Sequence, residues 1–178
     1  MEYTIIRSRR KSLAIEITPR GEILVRAPLR LAKRDIQGFV ESRQDWIVTH
    51  LSKVHVVPSL TSEEHGVLIC AAKEALPAKA EHYAELLGVT FGRITIRSQH
   101  TRWGSCSASG NLSFNCLLML APEEVQDYVV VHELCHRKHM DHSPAFWQEV
   151  EKILPDYHSR KAWLKENGAS LLARLPLS

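Results

Sequence analysis

The stretch VVVHELCHRKHMDHSPAFW, Val129 to Trp147, holds four histidines: His132, His136, His139 and His142. Imidazole is the commonest metal ligand among side chains and titrates near neutrality, so such a density points to metal or proton chemistry. Within it, HELCH has the form HExxH. On a helix, residues four apart share a face and lie about 6 Å apart along the axis. Two imidazoles so placed can reach one Zn²⁺ with their nitrogens about 2 Å from it. Glu133 is turned about 100° from His132 and does not ligate. Its carboxylate can instead take a proton from a zinc-bound water as that water attacks a carbonyl or phosphoryl centre. The five-residue motif alone is moderately specific, and the alternative is a helix with surface histidines. The helical context, the strands before it and the additional histidines favour the metal.

The third ligand has several candidates. His139 shares the face of His132 but lies about 10 Å along the axis from it, past an ion straddled by His132 and His136. It can serve instead as a surface histidine or as a partner that orients a ligand. His142 comes just before Ser143-Pro144, where the chain has left the helix and can fold back. Its spacing, six residues after His136, is that of zinc peptidases of HExxHxxxxxH type. A glutamate of a later helix, Glu149 or Glu151, is another possibility.

The elements around this patch can be read in order. EYTIIRS and SLAIEITPRGEILVRAP alternate apolar and polar residues, with a hairpin turn at Thr18-Pro19-Arg20-Gly21. From Ala32 to Leu51 the apolar period becomes helical, and SKVHVVPSL follows as a connector. An alanine-rich helical block runs from about Thr61 to Gly88, with Pro77 kinking it or opening a second helix. RITIRS, TRWGSCS and LSFNCLLML read as strands or strand-like loops, the last two joined by a turn at Ser109-Gly110-Asn111. Pro122 suits the first turn of the helix carrying His132 and His136, and Glu123 and Glu124 suit its positive end. Ser143-Pro144 caps the next helix, Leu154-Pro155 breaks it, and a last helix ends near Gly168. This pattern divides the chain into a strand-rich basic subdomain, residues 1–58, ending in a helix, and a catalytic core, residues 59–178.

Composition sets the class. The 178 residues are 44% hydrophobic and 24% charged, a globular make-up. No apolar run approaches the roughly 20 residues that span a bilayer, and the amino terminus lacks the apolar core of a signal peptide. Cys70, Cys106, Cys116 and Cys135 form no CxxC pair and read as reduced thiols of a cytoplasmic chain, with Cys106 and Cys135 as packing residues. The net charge of +3 is uneven: residues 1–53 hold 11 Lys and Arg against 6 Asp and Glu, while the remainder is net acidic. The densest part is Arg7, Arg9, Arg10 and Lys11. It is either a solvated hairpin face or a contact for nucleic acid or another polyanion.

RWGSCS, VVHELCH, KHMDHSPAFW and PDYHSRKAWL together resemble the YgjP-like metallopeptidase family, predicted metal-dependent hydrolases related to SprT-like and WLM peptidases. RRKSLAIEI, VRAP and RQDWI resemble its amino-terminal part. The resemblance implies an α+β fold with a zincin-like core: an HExxH helix against a small antiparallel sheet, with an N-terminal β-hairpin and helix subdomain. It implies zinc held by His132, His136 and His142, with Glu133 as base. One departure is that SKVHVVPSL stands where family members carry an additional strand-rich stretch.

The substrate is a separate matter. RWGSC or LSFNC could offer an edge strand to an extended peptide. Arg102 could face a carboxylate or phosphate or form a salt bridge, and Trp103 could wall the cleft or pack in the core. Tyr157 or His158 could reach the transition-state oxyanion. The leading expectation is a zinc metallopeptidase acting on peptide or protein. Some family members are described as UTP pyrophosphatases, so a nucleotide pyrophosphohydrolase acting on nucleoside triphosphates is the alternative. A non-catalytic zinc-stabilised binding module fits less well, because a structural site needs no base and normally has four protein ligands.

Overall fold

The structure is a computed structural model that describes residues 1–52 and 57–175. Residues 53–56 of the expected connector SKVHVVPSL lie outside the described residues. The chain divides into two compact units, Met1–Pro58 and Ser59–Ser178.

In the first unit the strands are β1 (Thr4–Ser8), β2 (Ala14–Ile17) and β3 (Ile23–Pro28). The hairpin turn forms where the sequence places it. Gly21 takes φ 80° and donates its N–H to the Thr18 carbonyl at 2.8 Å, a left-handed conformation that glycine adopts without steric cost. β2 pairs antiparallel with β3, and β1 pairs parallel with β3 on its other side. The alternation of β3 buries Ile23, Val25 and Ala27 on one face. The helix expected over 32–51 is two helices, α1 (Lys33–Glu41) and α2 (Gln44–Leu51). The Ser42 hydroxyl donates to the Phe39 carbonyl at 2.7 Å at the break, a local bond that competes with the helical ladder. Ile36, Val40 and Ile47 still meet the sheet residues in one apolar cluster.

The second unit opens with α3 (Ser62–Leu87). Thr61 and Glu64 form a reciprocal capping box, and Gly88 ends the helix at φ 65°. Pro77 neither breaks nor restarts it. Ala72, Leu76, Ala80 and Ala84 form one buried face on both sides of the proline, and that burial offsets the lost backbone bond. The strands β4 (Ile94–Arg97), β5 (Gly104–Cys106) and β6 (Leu112–Asn115) stand in the order β4-β6-β5. The sheet is mixed rather than antiparallel. β5 and β6 form the hairpin, whereas β4 runs parallel to β6.

LSFNCLLML is a strand only as far as Asn115. The Asn115 Oδ1 accepts the Leu117 N–H at 3.1 Å and turns the chain into a 3-10 segment, Cys116–Leu120. Three helices follow: α4 (Glu123–Cys135), α5 (Pro144–Ile153) and α6 (Tyr157–Leu172). Ser143 caps α5 through its side chain. α6 continues past Gly168, which is buried inside it. A Cβ there would lie 3.2 Å from the Trp103 indole nitrogen, so the glycine admits that ring rather than stopping the helix. Leu76, Leu112, Phe114, Leu117, Leu118, Leu134 and Phe146 are all buried in the core of this unit. Among the described residues no helix is long and apolar enough to cross a membrane.

Candidate metal centre and active site

α4 runs from an acidic first turn into its buried final turns, Val129 to Cys135. Its last turn places His132 and Glu133 on adjacent faces. His136 is the C-cap, still in the right-handed helical region at φ −63° and ψ −14°. The chain then turns through Lys138–Asp141, and His142 returns to the same place just before α5. Ligand atoms of His132, His136 and His142 all lie within 4.8 Å of one another. His132 and His142 face each other with Nε2 atoms 3.1 Å apart. Nitrogens about 2 Å from a shared tetrahedral ion stand about 3.3 Å from each other, so the donor set fits a metal. Glu149, Glu151 and His139 are not part of this group. Glu149 is held by Lys138 at 2.7 Å and by Lys152.

The surroundings prepare the imidazoles to act as neutral donors. Burial, then the neighbouring His136 and His142, push the His132 pKa down to about 3. Burial also lowers His136. The His136 Nδ1 sits 3.0 Å from the His139 carbonyl, the geometry of a donor, which leaves Nε2 as its lone-pair nitrogen. His139 therefore meets the cluster through its backbone. Beneath the three rings lies Phe146, fully buried, with its centroid 4.9 Å from His132, 4.7 Å from His136 and 4.9 Å from His142. Trp147 flanks His132 and His142 at 5.8 Å. Sequence reasoning gave these two aromatics no role, although they stand four and five residues after His142 in the quoted stretch.

Glu133 is buried, 6% exposed. Desolvation pushes its carboxyl up to about 8, and the charge of Arg102 pulls the other way. A Cβ on Gly104 would fall 2.7 Å from the Glu133 Cγ and Oε1. The glycine thus lets β5 approach α4 and leaves the carboxylate its place, a requirement that spacing alone did not reveal. At the far end of the β5–β6 hairpin, Arg137 Nε donates to the Thr90 carbonyl at 2.9 Å and Nη1 to the Ala108 carbonyl at 3.4 Å.

The histidines, Glu133, Arg102, Cys106 and Met140 line one open cleft of about 330 Å³. Cys106, expected to be a packing residue, is half-buried on its wall, whereas Cys135 is fully buried. Trp103 packs against the core rather than walling the cleft. Tyr157 is buried and stacked on Trp147 at 5.3 Å, with His158 stacked on it in turn, and neither lines the cleft. The basic cluster belongs to the first unit, and Arg7 has a structural task there. Its Nη1 donates to the carbonyls of Pro28, Leu29 and Leu31 at 3.1, 3.0 and 2.8 Å. Arg9 and Lys11 are exposed.

The family model for the YgjP-like metallopeptidase domain matches residues 11–69 and 64–167. The chain belongs to the YgjP-like family. It is accordingly a metal-dependent hydrolase of metallopeptidase type. Among solved structures, the metallopeptidase zymogen abylysin of Pyrococcus abyssi is 26% identical, over 57% of this chain and 99% of its own, with a TM-score of 0.47. The metallopeptidase zymogen jannalysin of Methanocaldococcus jannaschii is 20% identical, over 53% of this chain and 96% of its own, with a TM-score of 0.46. No curated protein matches the chain.

Proposed function

We propose that the chain is a zinc peptidase with a zincin-like core, in which His132, His136 and His142 hold the ion and Glu133 is the general base. The observation that carries this reading is the convergence of three imidazole donors on a cleft that also contains a buried carboxylate. Among the described residues no fourth ligand joins the group, and three protein ligands with an open position characterise catalytic rather than structural zinc.

A bound Zn²⁺ would polarise a substrate carbonyl and lower the pKa of a water beside it. Glu133 accepts that water's proton on its carboxylate and returns it to the leaving amine. Its burial raises its affinity for the proton, and the Arg102 charge keeps the carboxylate form accessible. Phe146 and Trp147 pack against the imidazoles and restrict their rotation. β5 is an edge strand beside α4. An extended peptide laid along it exchanges main-chain hydrogen bonds and passes its carbonyls over the histidines.

The test is metal analysis joined to turnover. Purified protein should contain about one Zn²⁺ per chain. His142→Ala should weaken zinc binding far more than His139→Ala, because His139 meets the cluster only through its carbonyl. Glu133→Gln should keep the metal and lose about 100- to 10,000-fold in turnover of unfolded protein. UTP is assayed in parallel. Its Glu133-dependent hydrolysis, with no cleavage of any protein, would replace the peptidase reading with a pyrophosphohydrolase.

A further inference from the structure

Arg102 differs from the other cations around the catalytic helix. Arg137 is spent on two carbonyls, Lys138 on Glu149, Arg160 on Asp156 and the Glu124 carbonyl, and Lys161 sits over the Trp147 ring at 3.9 Å. Arg102 is exposed, lines the cleft and makes no side-chain hydrogen bond or ion pair among the described residues. Its charge nonetheless reaches the Glu133 carboxyl.

The backbone beneath this free guanidinium is held firmly. Asn115, 2% exposed, donates from Nδ2 to the Arg102 carbonyl at 3.1 Å and to the Gln99 carbonyl at 2.7 Å. The Asn115 N–H donates to the Trp103 carbonyl at 2.8 Å. The buried amide therefore fixes the loop that enters β5, while the side chain at its tip stays unpaired. A guanidinium fork on a rigid base, next to the reacting centre, is suited to bidentate capture of a carboxylate. Glu133 is the one carboxylate among the residues lining the cleft, and the base role removes it as a permanent partner.

We infer that Arg102 is the specificity-determining residue of the cleft, selecting peptides that carry a carboxylate close to the scissile bond. This inference rests on the peptidase reading of the site. The carboxylate can belong to an Asp or Glu side chain or to the peptide's own C-terminus, and the guanidinium recognises the same group in both.

Cleavage sites are first mapped with a mixture of unfolded proteins. Matched peptides are then compared, Glu against Gln beside the cleaved bond and free acid against C-terminal amide. kcat/KM is measured on the zinc-loaded wild type, and binding by fluorescence anisotropy on zinc-loaded Glu133→Gln. One matched pair should differ by about 10- to 100-fold in favour of the carboxylate, and which pair does so identifies its source. Arg102→Gln should bring that ratio to within about twofold of unity with zinc content unchanged, and Arg102→Lys should restore part of it.

No preference in either pair, in kinetics and in binding, overturns the inference. So does an Arg102→Gln variant that loses both members of a pair equally, which is the pattern of oxyanion stabilisation. Failure of the underlying reading looks different. The wild type then hydrolyses no peptide at all, and a carboxylate preference that persists in binding still supports the role of Arg102.

Discussion

At the scale of single residues, burial sets the chemistry. The ordinary carboxyl pKa of 4.5 is pushed up to about 8 at Glu133, and the ordinary imidazole value of 6.5 is pushed down to about 3 at His132. In metal-free protein these shifts act on stability in opposite directions. Stability associated with Glu133 is fully present below pH 4.5 and is lost as pH rises through 8, because the fold resists the charge that the unfolded chain carries freely. Stability associated with His132 is present above pH 6.5 and is lost as pH falls towards 3. In chelator-treated protein, Glu133→Gln should therefore gain in melting temperature over the wild type between pH 5 and pH 8. The gain should be about 7–14 °C, read by calorimetry. A constant difference across that range would mean that Glu133 is not a desolvated carboxyl. The HELCH spacing and the return of His142 were legible in the sequence, because helical geometry and a Ser-Pro cap are local. Phe146 as a floor was not legible, because an aromatic in the first turn of a helix reads the same whether it meets a metal site or the core.

At the scale of elements, local signals predicted the helix ends best. The boundaries at Thr61 and Gly88 and the cap at Ser143 all act where the sequence places them, since each is settled within four or five residues. Strand pairing depends on partners distant in sequence, and the parallel β4–β6 pairing left no local mark. The contact between β5 and α4 is of the same long-range kind, and Gly104 is its critical point. Gly104→Ala would place a methyl 2.7 Å from the Glu133 Cγ, so either the carboxylate swings away or the strand retreats. The three histidines lie elsewhere on α4 and on the turn after it, so zinc content should persist. kcat should fall by about 100-fold or more, as expected when a base is displaced from its proton. Full activity in this variant would show that the base tolerates displacement, and would count against Glu133.

At the scale of the molecule, each unit has its own apolar cluster: Val25, Ile36 and Ile47 in one, Phe114, Leu134 and Phe146 in the other. Every candidate ligand, Glu133, Arg102 and the aromatic floor belong to residues 59–178. The ends of that segment are joined, since the Leu60 N–H donates to the Arg174 carbonyl at 2.8 Å. The basic cluster was read from charge density alone, and such a pattern does not distinguish Arg7, clamped on three carbonyls, from the exposed Arg9 and Lys11. A fragment of residues 59–178 should therefore fold cooperatively and bind one equivalent of zinc within about tenfold of the full chain's affinity, because no proposed ligand or floor residue is removed. Isothermal titration with zinc and thermal unfolding of the fragment check both points. If the fragment is unfolded, or binds zinc only as loosely as the His142→Ala chain, the metal site requires the first 58 residues. The division at Pro58 would then be a boundary of compactness and not of folding.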